Sequence, residues 1–280
     1  MSQELEQARR AAIRNRIVRW GVCVGLPLLA AISGIIEKDW KLAIGAFVIL
    51  SYILFGLWAA FSKNRALANY RALFKKEMIK LALNGATLYE KTEFAFDRGL
   101  NPSLVSGSGM FTTNRYLSDC YISGVHNGVQ FHQADIRNVS GDKNGYHLEY
   151  DGTFIAFPTS LSDATQTNVY HKDVDVSIIV PGEKIKSGRE GFDKLFRVAT
   201  NNVPRAQALL TDEFCNKLLQ VQELTERKIA LTVKNGWIYI FMPNKKSVLR
   251  PKLFTRYDNS MKTAIVKELE LAKHFIDAFR

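Results

Sequence analysis

Two nearly uncharged stretches, residues 17–36 and 42–61, limit what this 280-residue chain can fold into. The first holds one charge, Arg19, at its edge, and the second holds none. Each is about as long as the ~20 apolar residues a helix needs to cross hydrocarbon. Neither keeps the polar stripe of a helix packed on a soluble domain. The pair is therefore expected to be a transmembrane helical hairpin over residues 17–61. Gly21, Gly25, Pro27, Gly34, Gly45 and Gly56 fall inside the runs, where lipid tolerates them because the backbone stays satisfied. Pro27 is expected to kink the first helix. Trp20, Trp40 and Trp58 lie near the ends of the runs, where an aromatic belt sits.

Flanking cations set the expected orientation. Arg9, Arg10, Arg14, Arg16 and Arg19 precede or open the first run, and Lys63, Arg65, Arg71, Lys75 and Lys76 follow the second. The connection "EKDWK" sums to zero charge. Positive outer flanks are expected to leave both termini in the cytoplasm. Two other readings compete with the hairpin. A cleaved signal peptide, with "AIS" at residues 31–33 as its cleavage site, does not account for the second run with its own basic flank. A buried hairpin of a soluble domain lacks its polar face. Self-pairing through Gly21-x-x-x-Gly25 is opposed by Pro27 close by.

Removing the seven cations and four acids of residues 1–61 from the 38 and 27 of the whole chain leaves 31 and 23, a balance of +8. Such a domain suits an anionic leaflet, where each nearby cation contributes about 1 kcal/mol. No nucleic-acid module is recognisable, so no nucleic-acid partner is expected. Cys23, Cys120 and Cys215 lie far apart and form neither a disulfide framework nor a zinc pattern. Asn138-Val139-Ser140 matches a glycosylation acceptor, but on the cytoplasmic side it is a chance match.

The expected organisation is a basic N-terminal segment over residues 1–16, the hairpin, a basic juxtamembrane helix over 62–85, and an α+β domain over 86–280 with a subdivision near 182–191. In the juxtamembrane helix Leu67, Tyr70, Phe74, Met78 and Leu81 recur at spacings of three and four and make one apolar face. Asn127-Gly128 and Asn235-Gly236 each separate alternating segments and predict two-residue hairpins. "YHLEYDGTFIAFP" predicts two short strands around Asp151-Gly152, and "VDVSIIVP" another. "SLVSGSGMF" reads as a loop. Helices are expected after Phe192, from Pro204, from Thr211 and from about Ser260. Antiparallel strands grouped with several helices favour α+β over a doubly wound sheet.

Chemistry is harder to find. If Asn127-Gly128 is a two-residue turn, His126 faces Val129 and His132 faces Ser123, so the imidazoles point to opposite sides and cannot share an ion. His147, His171 and His274 are isolated from any ligand spacing. "GSGM" lacks the Gly-Lys-Ser/Thr ending of a phosphate loop, and "DKNG" lacks the later ligands of a calcium loop. No nucleophile elbow or zinc-protease motif occurs. No catalytic residue, cofactor or metal is therefore expected. The one cluster that stands out is "NKKSVLRPKLFTR", with Lys245, Lys246, Arg250, Lys252 and Arg256, no acid, and Leu249, Leu253 and Phe254 between them. A basic loop with apolar anchors is what interfacial binding requires. With Lys75, Lys76 and Lys80 these are the candidate membrane-surface or partner contacts. The bland alternative is a solvated connection whose Leu and Phe cover a neighbouring helix.

The segment "GFDKLFRVATNNVPRAQALLTDEFCNKLLQVQE" at residues 191–223, followed by "KIALTVKNGWIYIFMPNKK", resembles the bacterial domain-of-unknown-function family numbered 3137. The pattern is Phe192-x-x-x-Phe196, Val198, Arg205-Ala206, Leu209-Leu210-Thr211 and the hairpin ending at Pro243. "SGMF" and "YLSDCYISGVHNGVQFHQADI" match more loosely, and "TTNRY" stands where the family is more acidic. The resemblance implies two N-terminal spans, a cytoplasmic domain and a membrane-protein neighbour of the LemA type; it implies no catalytic residues. The sequence thus points to a membrane-anchored binding or scaffold protein, a subunit or regulator of a membrane complex, contacting the bilayer and another membrane protein or itself. The alternatives are a membrane-tethered enzyme without a recognisable motif and an effector inserted in a host membrane.

Overall fold

The structure, a computed structural model, describes residues 3–36, 41, 44–45, 47–53, 65–84, 89–111, 116–142, 145–161, 165–174, 182–243 and 247–280. The chain divides into two compact units, Met1–Lys80 with Pro251–Lys262, and Leu81–Arg250 with Thr263–Arg280.

The first unit is built on helices α1 (Gln3–Ile36) and α2 (Arg65–Asn84). Near the start of α1, Leu5, Ala8 and Ala12 are buried. From Ile17 onward the character reverses, and Ile17, Val18, Trp20, Val22, Val24, Leu28, Leu29 and Ile32 stand exposed. Pro27 lies inside α1. Ile44, Phe47, Val48, Ile49, Tyr52 and Ile53 are exposed in the second apolar run. Among the described residues no helix is long and apolar enough to cross a membrane. Trp40, Trp58 and much of the second run lie outside the described residues. The expected face of α2 is present, with Tyr70, Phe74 and Met78 buried. It packs on the segment after Arg250: the Phe74 and Tyr257 rings meet edge to face at 5.9 Å, and the Tyr70 hydroxyl donates to the Lys252 carbonyl at 3.1 Å.

The second unit is α+β, a nine-stranded sheet whose neighbours are all antiparallel, in the order β1-β2-β3-β4-β9-β8-β5-β7-β6. The strands are β1 (Glu90–Ala95), β2 (Tyr116–His126), β3 (Val129–Asp142), β4 (Gly145–Pro158), β5 (Thr167–His171), β6 (Glu183–Ile185), β7 (Phe196–Thr200), β8 (Ala230–Lys234) and β9 (Trp237–Pro243). The helices are α3 (Pro102–Gly107), α4 (Glu190–Leu195), α5 (Val203–Leu209), α6 (Asp212–Thr225), α7 (Asn259–Leu269) and α8 (Leu271–Phe279); α7 belongs to this unit from Thr263 onward. One sheet face carries Phe131, Ile155, Ile240 and Leu231, and the other carries Tyr121, Ala134, Phe154, Tyr239 and Phe241. This alternation follows from the two-residue period of a strand.

Both Asn-Gly turns form as read. Asn127 and Gly128 have φ of 50° and 78°, and Asn235 and Gly236 have 52° and 73°, the left-handed pair that a twist-matched hairpin needs. Thr211 caps α6, its hydroxyl accepting from the Phe214 amide at 3.1 Å. Three local readings need correction. Gly152 makes no turn: β4 runs through it unbroken, because a side chain there would meet the Met242 carbonyl and the Phe241 ring of β9. Its glycine marks a close approach between strands. "SLVSGSGMF" holds the short helix α3, capped by the Asn101 side chain. "FRVAT", inside a region read as helical, is strand β7, because its alternate residues pair with β5. The strand expected at "VDVSIIVP" falls largely outside the described residues.

Candidate functional site

The sheet brings three aspartates together that the sequence holds 16 residues apart. Asp119 on β2 pairs with Asp135 on β3, and Asp151 on β4 pairs with Arg137 on β3. A bulge makes this possible. Around the Asn127-Gly128 turn Ile122 pairs with Gln133, but beyond Cys120, whose φ is 56°, the register slips by one so that Asp119 meets Asp135. A slip of one residue moves side chains to the opposite sheet face, so the bulge is what puts the Asp119 carboxylate beside Asp135.

Arg250 closes the cluster. Its Nε and Nη2 donate to Asp119 Oδ1 at 3.1 and 3.0 Å, its Nη1 donates to Asp151 Oδ2 at 3.2 Å, and its Nε lies 3.7 Å from Asp135 Oδ2. Arg137 adds a second guanidinium, 3.2 Å from Asp119. The Ser247 hydroxyl donates to Asp135, which is almost fully buried. Burial pushes the Asp135 carboxyl up to about 7, with Glu268 and Asp119 acting in the same direction and Ser247 and Arg250 opposing. Donor atoms of Asp119, Cys120 and Asp135 lie within 4.8 Å of one another, close enough for a cation. The guanidinium of Arg250 already supplies that positive charge, and its planar fork reaches several carboxylates at once. The arrangement pins residues 247–250 to the sheet.

A second buried cluster centres on Glu268 of α7, whose carboxylate accepts from Thr153 on β4 at 2.6 Å and from both outer nitrogens of Arg227. Gln133 donates to the Glu268 carbonyl at 2.9 Å. These contacts dock α7 on the sheet.

The histidines separate as the hairpin register requires, with His126 opposite Val129 and His132 opposite Ser123. His126 lies 2.7 Å from Asp277, and His132 Nδ1 lies 2.8 Å from the Tyr121 hydroxyl. Burial raises the Cys215 thiol to about 11, which keeps it protonated and unreactive. Two adjoining hollows of about 550 and 600 Å³ share Ser160, Leu161, Ala208 and Leu209. No described histidine lines either one, and Glu213 in the first is paired with Lys217 at 2.7 Å.

Of the cations singled out in the sequence, Arg250 sits half-buried among the aspartates. Lys76, Lys80 and Arg256 are exposed, Lys75 and Lys252 are partly so, and Lys245 and Lys246 lie outside the described residues. Lys80 is 3.4 Å from Glu77. Leu249 is buried, whereas Phe254 is 66% exposed. The three aspartates were missed because each stands alone in sequence. Hairpin symmetry about Asn127-Gly128 brings Asp119 and Asp135 nearly opposite, but the bulge at Cys120 has no sequence signature.

No curated protein matches the chain. The crystal structure of the mycobacterial trehalose monomycolate transport factor A is similar at 12% identity, with a TM-score of 0.41, over 74% of this chain and 94% of that one. A likeness at that level carries no argument about function. Residues 152–280, from the middle of β4 to α8, match the family described as "Protein of unknown function (DUF3137)", the family whose motifs the sequence resembles.

Proposed function

We propose that this chain is a membrane-anchored accessory protein that acts by binding, with residues 17–36 and 42–61 crossing a bacterial inner membrane and both termini in the cytoplasm. The observation that carries the reading is the run of large apolar side chains left exposed along α1 from Ile17 to Ile32, where Trp20 is 56% and Leu29 64% exposed. Large apolar side chains left exposed along a helix need cover, and lipid supplies it. The second run repeats the pattern from Ile44 to Ile53. The exposed cations Lys76, Lys80 and Arg256 then face an anionic leaflet or a partner. A second membrane protein, of the LemA type that the family resemblance implies, is the proposed partner of the sheet unit. Both buried carboxylate clusters are satisfied by arginines, which favours a binder over an enzyme.

The test is alkaline carbonate extraction of membranes from cells expressing the full chain, combined with reporter fusions at either end. Retention in the pellet with both reporters cytoplasmic is expected. Release into the supernatant sinks the anchor. Crosslinking in the native membrane and purification in mild detergent then tests the binder. A stoichiometric membrane partner is expected, and recovery of the protein alone argues against a complex.

A further inference from the structure

The segment that follows Arg250 is tied down at three points, yet it leaves one large aromatic outside. Tyr70 of α2 donates to the Lys252 carbonyl at 3.1 Å, and Arg9 of α1 donates to the Leu253 carbonyl at 3.2 Å. Tyr257 is buried against Phe74. Between these fixed points Phe254 is exposed, although water disfavours so large an apolar ring. Its ring lies under the guanidinium of Arg16, 5.4 Å from centroid to Cζ. Arg16 immediately precedes the apolar run of α1. Phe254 therefore stands beside the residue at which that run begins, with Trp20 about one helical turn, ~6 Å, further along α1.

The charge around this ring is one-sided. Lys252 and Arg256 flank it in the sequence, and Arg16 stands over it from α1. Three described acids of the same unit are engaged elsewhere: Glu77 lies 3.4 Å from Lys80, and Glu6 and Asp258 have their own partners. Glu6 is gripped by Arg9 and Arg10, and Asp258 accepts from the Ser260 hydroxyl and the Met261 amide at the start of α7. An aromatic ring flanked by cations at the boundary of an apolar helix has the composition of an interfacial anchor.

We infer that residues 252–256 form an interfacial anchor for an anionic leaflet, with Phe254 entering the headgroup layer and Arg16, Lys252 and Arg256 holding lipid phosphates around it. The inference rests on the membrane-anchor reading. It adds that a segment 200 residues downstream of the apolar runs is folded back, within the first unit, to the membrane surface.

The test uses full-length Phe254→Trp protein reconstituted in phosphatidylcholine–phosphatidylglycerol vesicles with brominated acyl chains. The emission added by the new tryptophan is expected to fall by about half, as for a ring at headgroup depth. Replacing phosphatidylglycerol by phosphatidylcholine is expected to reduce that quenching about twofold, because the cations lose their lipid counter-charge. If the wild-type tryptophans are quenched but the added one emits as in water and ignores bromine, the interfacial anchor is overturned and the transmembrane reading stands. If neither is quenched, both readings fall. Equal quenching in neutral vesicles removes the anionic preference. A nitroxide on Phe254→Cys, with its collisions with oxygen and with a water-soluble relaxant compared, gives a second readout of the same depth.

Discussion

The guanidinium of Arg227 holds the carboxylate of Glu268 through two hydrogen bonds, 3.1 and 2.5 Å long, and the Glu268 side chain has no exposed surface. Removing one partner of such a pair strands a buried charge. Arg227→Ala is expected to cost about 3–5 kcal/mol, read as a drop in the thermal midpoint of the full-length protein in detergent. Replacing both partners with apolar residues is expected to cost less than the single change. A double variant as unstable as the sum of the two singles would contradict this account.

Asp135 makes stability depend on pH. Its carboxyl titrates at about 7 in the folded chain, above the ~3.9 of an unfolded aspartate, with burial the main cause. The folded state therefore holds more protons between those values. The contribution of Asp135 is fully present below about pH 4 and is lost as pH rises through about 7. Asp135→Asn, which can still accept from Ser247, is expected to flatten this slope and to be the more stable protein above pH 7. Denaturant midpoints of both proteins from pH 5 to pH 8 provide the check, and parallel curves refute the assignment.

Arg250 is expected to be irreplaceable by lysine. A single ammonium cannot reach Asp119, Asp151 and Asp135 together from one position, whereas the guanidinium does. Arg250→Ala and Arg250→Lys are both expected to destabilise by about 2–4 kcal/mol. Hydrogen exchange should rise most in residues 247–250. Full stability in the lysine variant would show that charge alone suffices.

Gly152 and Gly128 should respond differently to alanine. A Cβ at Gly152 would lie 2.6 Å from the Phe241 ring, so β4 and β9 must part, at a cost of about 2–3 kcal/mol. At Gly128 nothing lies within 4 Å, and only the positive φ is strained, at about 1 kcal/mol. Thermal midpoints of the two variants measure the contrast, and equal losses would mean that backbone conformation, not strand contact, governs both.

Features encoded by neighbours in the chain were legible in the sequence. Asn127-Gly128 and Asn235-Gly236 form turns because local sterics select residues that tolerate positive φ. Thr211 caps α6 because its hydroxyl reaches an amide three residues on. The buried face of α2 follows from spacings of three and four. The apolar character of residues 17–36 and 42–61 is likewise a property of composition. What only the tertiary structure decided depends on residues distant in sequence. Gly152 read as a turn because glycine permits one, but its role is set by Phe241 and Met242 on another strand. "FRVAT" became strand β7 because β5 offered it partners. Arg250 read as a surface cation because its neighbours in sequence are cations, yet its neighbours in space are Asp119, Asp135 and Asp151, aligned by a bulge that no local rule announces. Short-range sterics and periodicity are written residue by residue. Strand register and charge pairing are fixed only when the whole sheet closes, because each position's energy then depends on which distant residue lands opposite it.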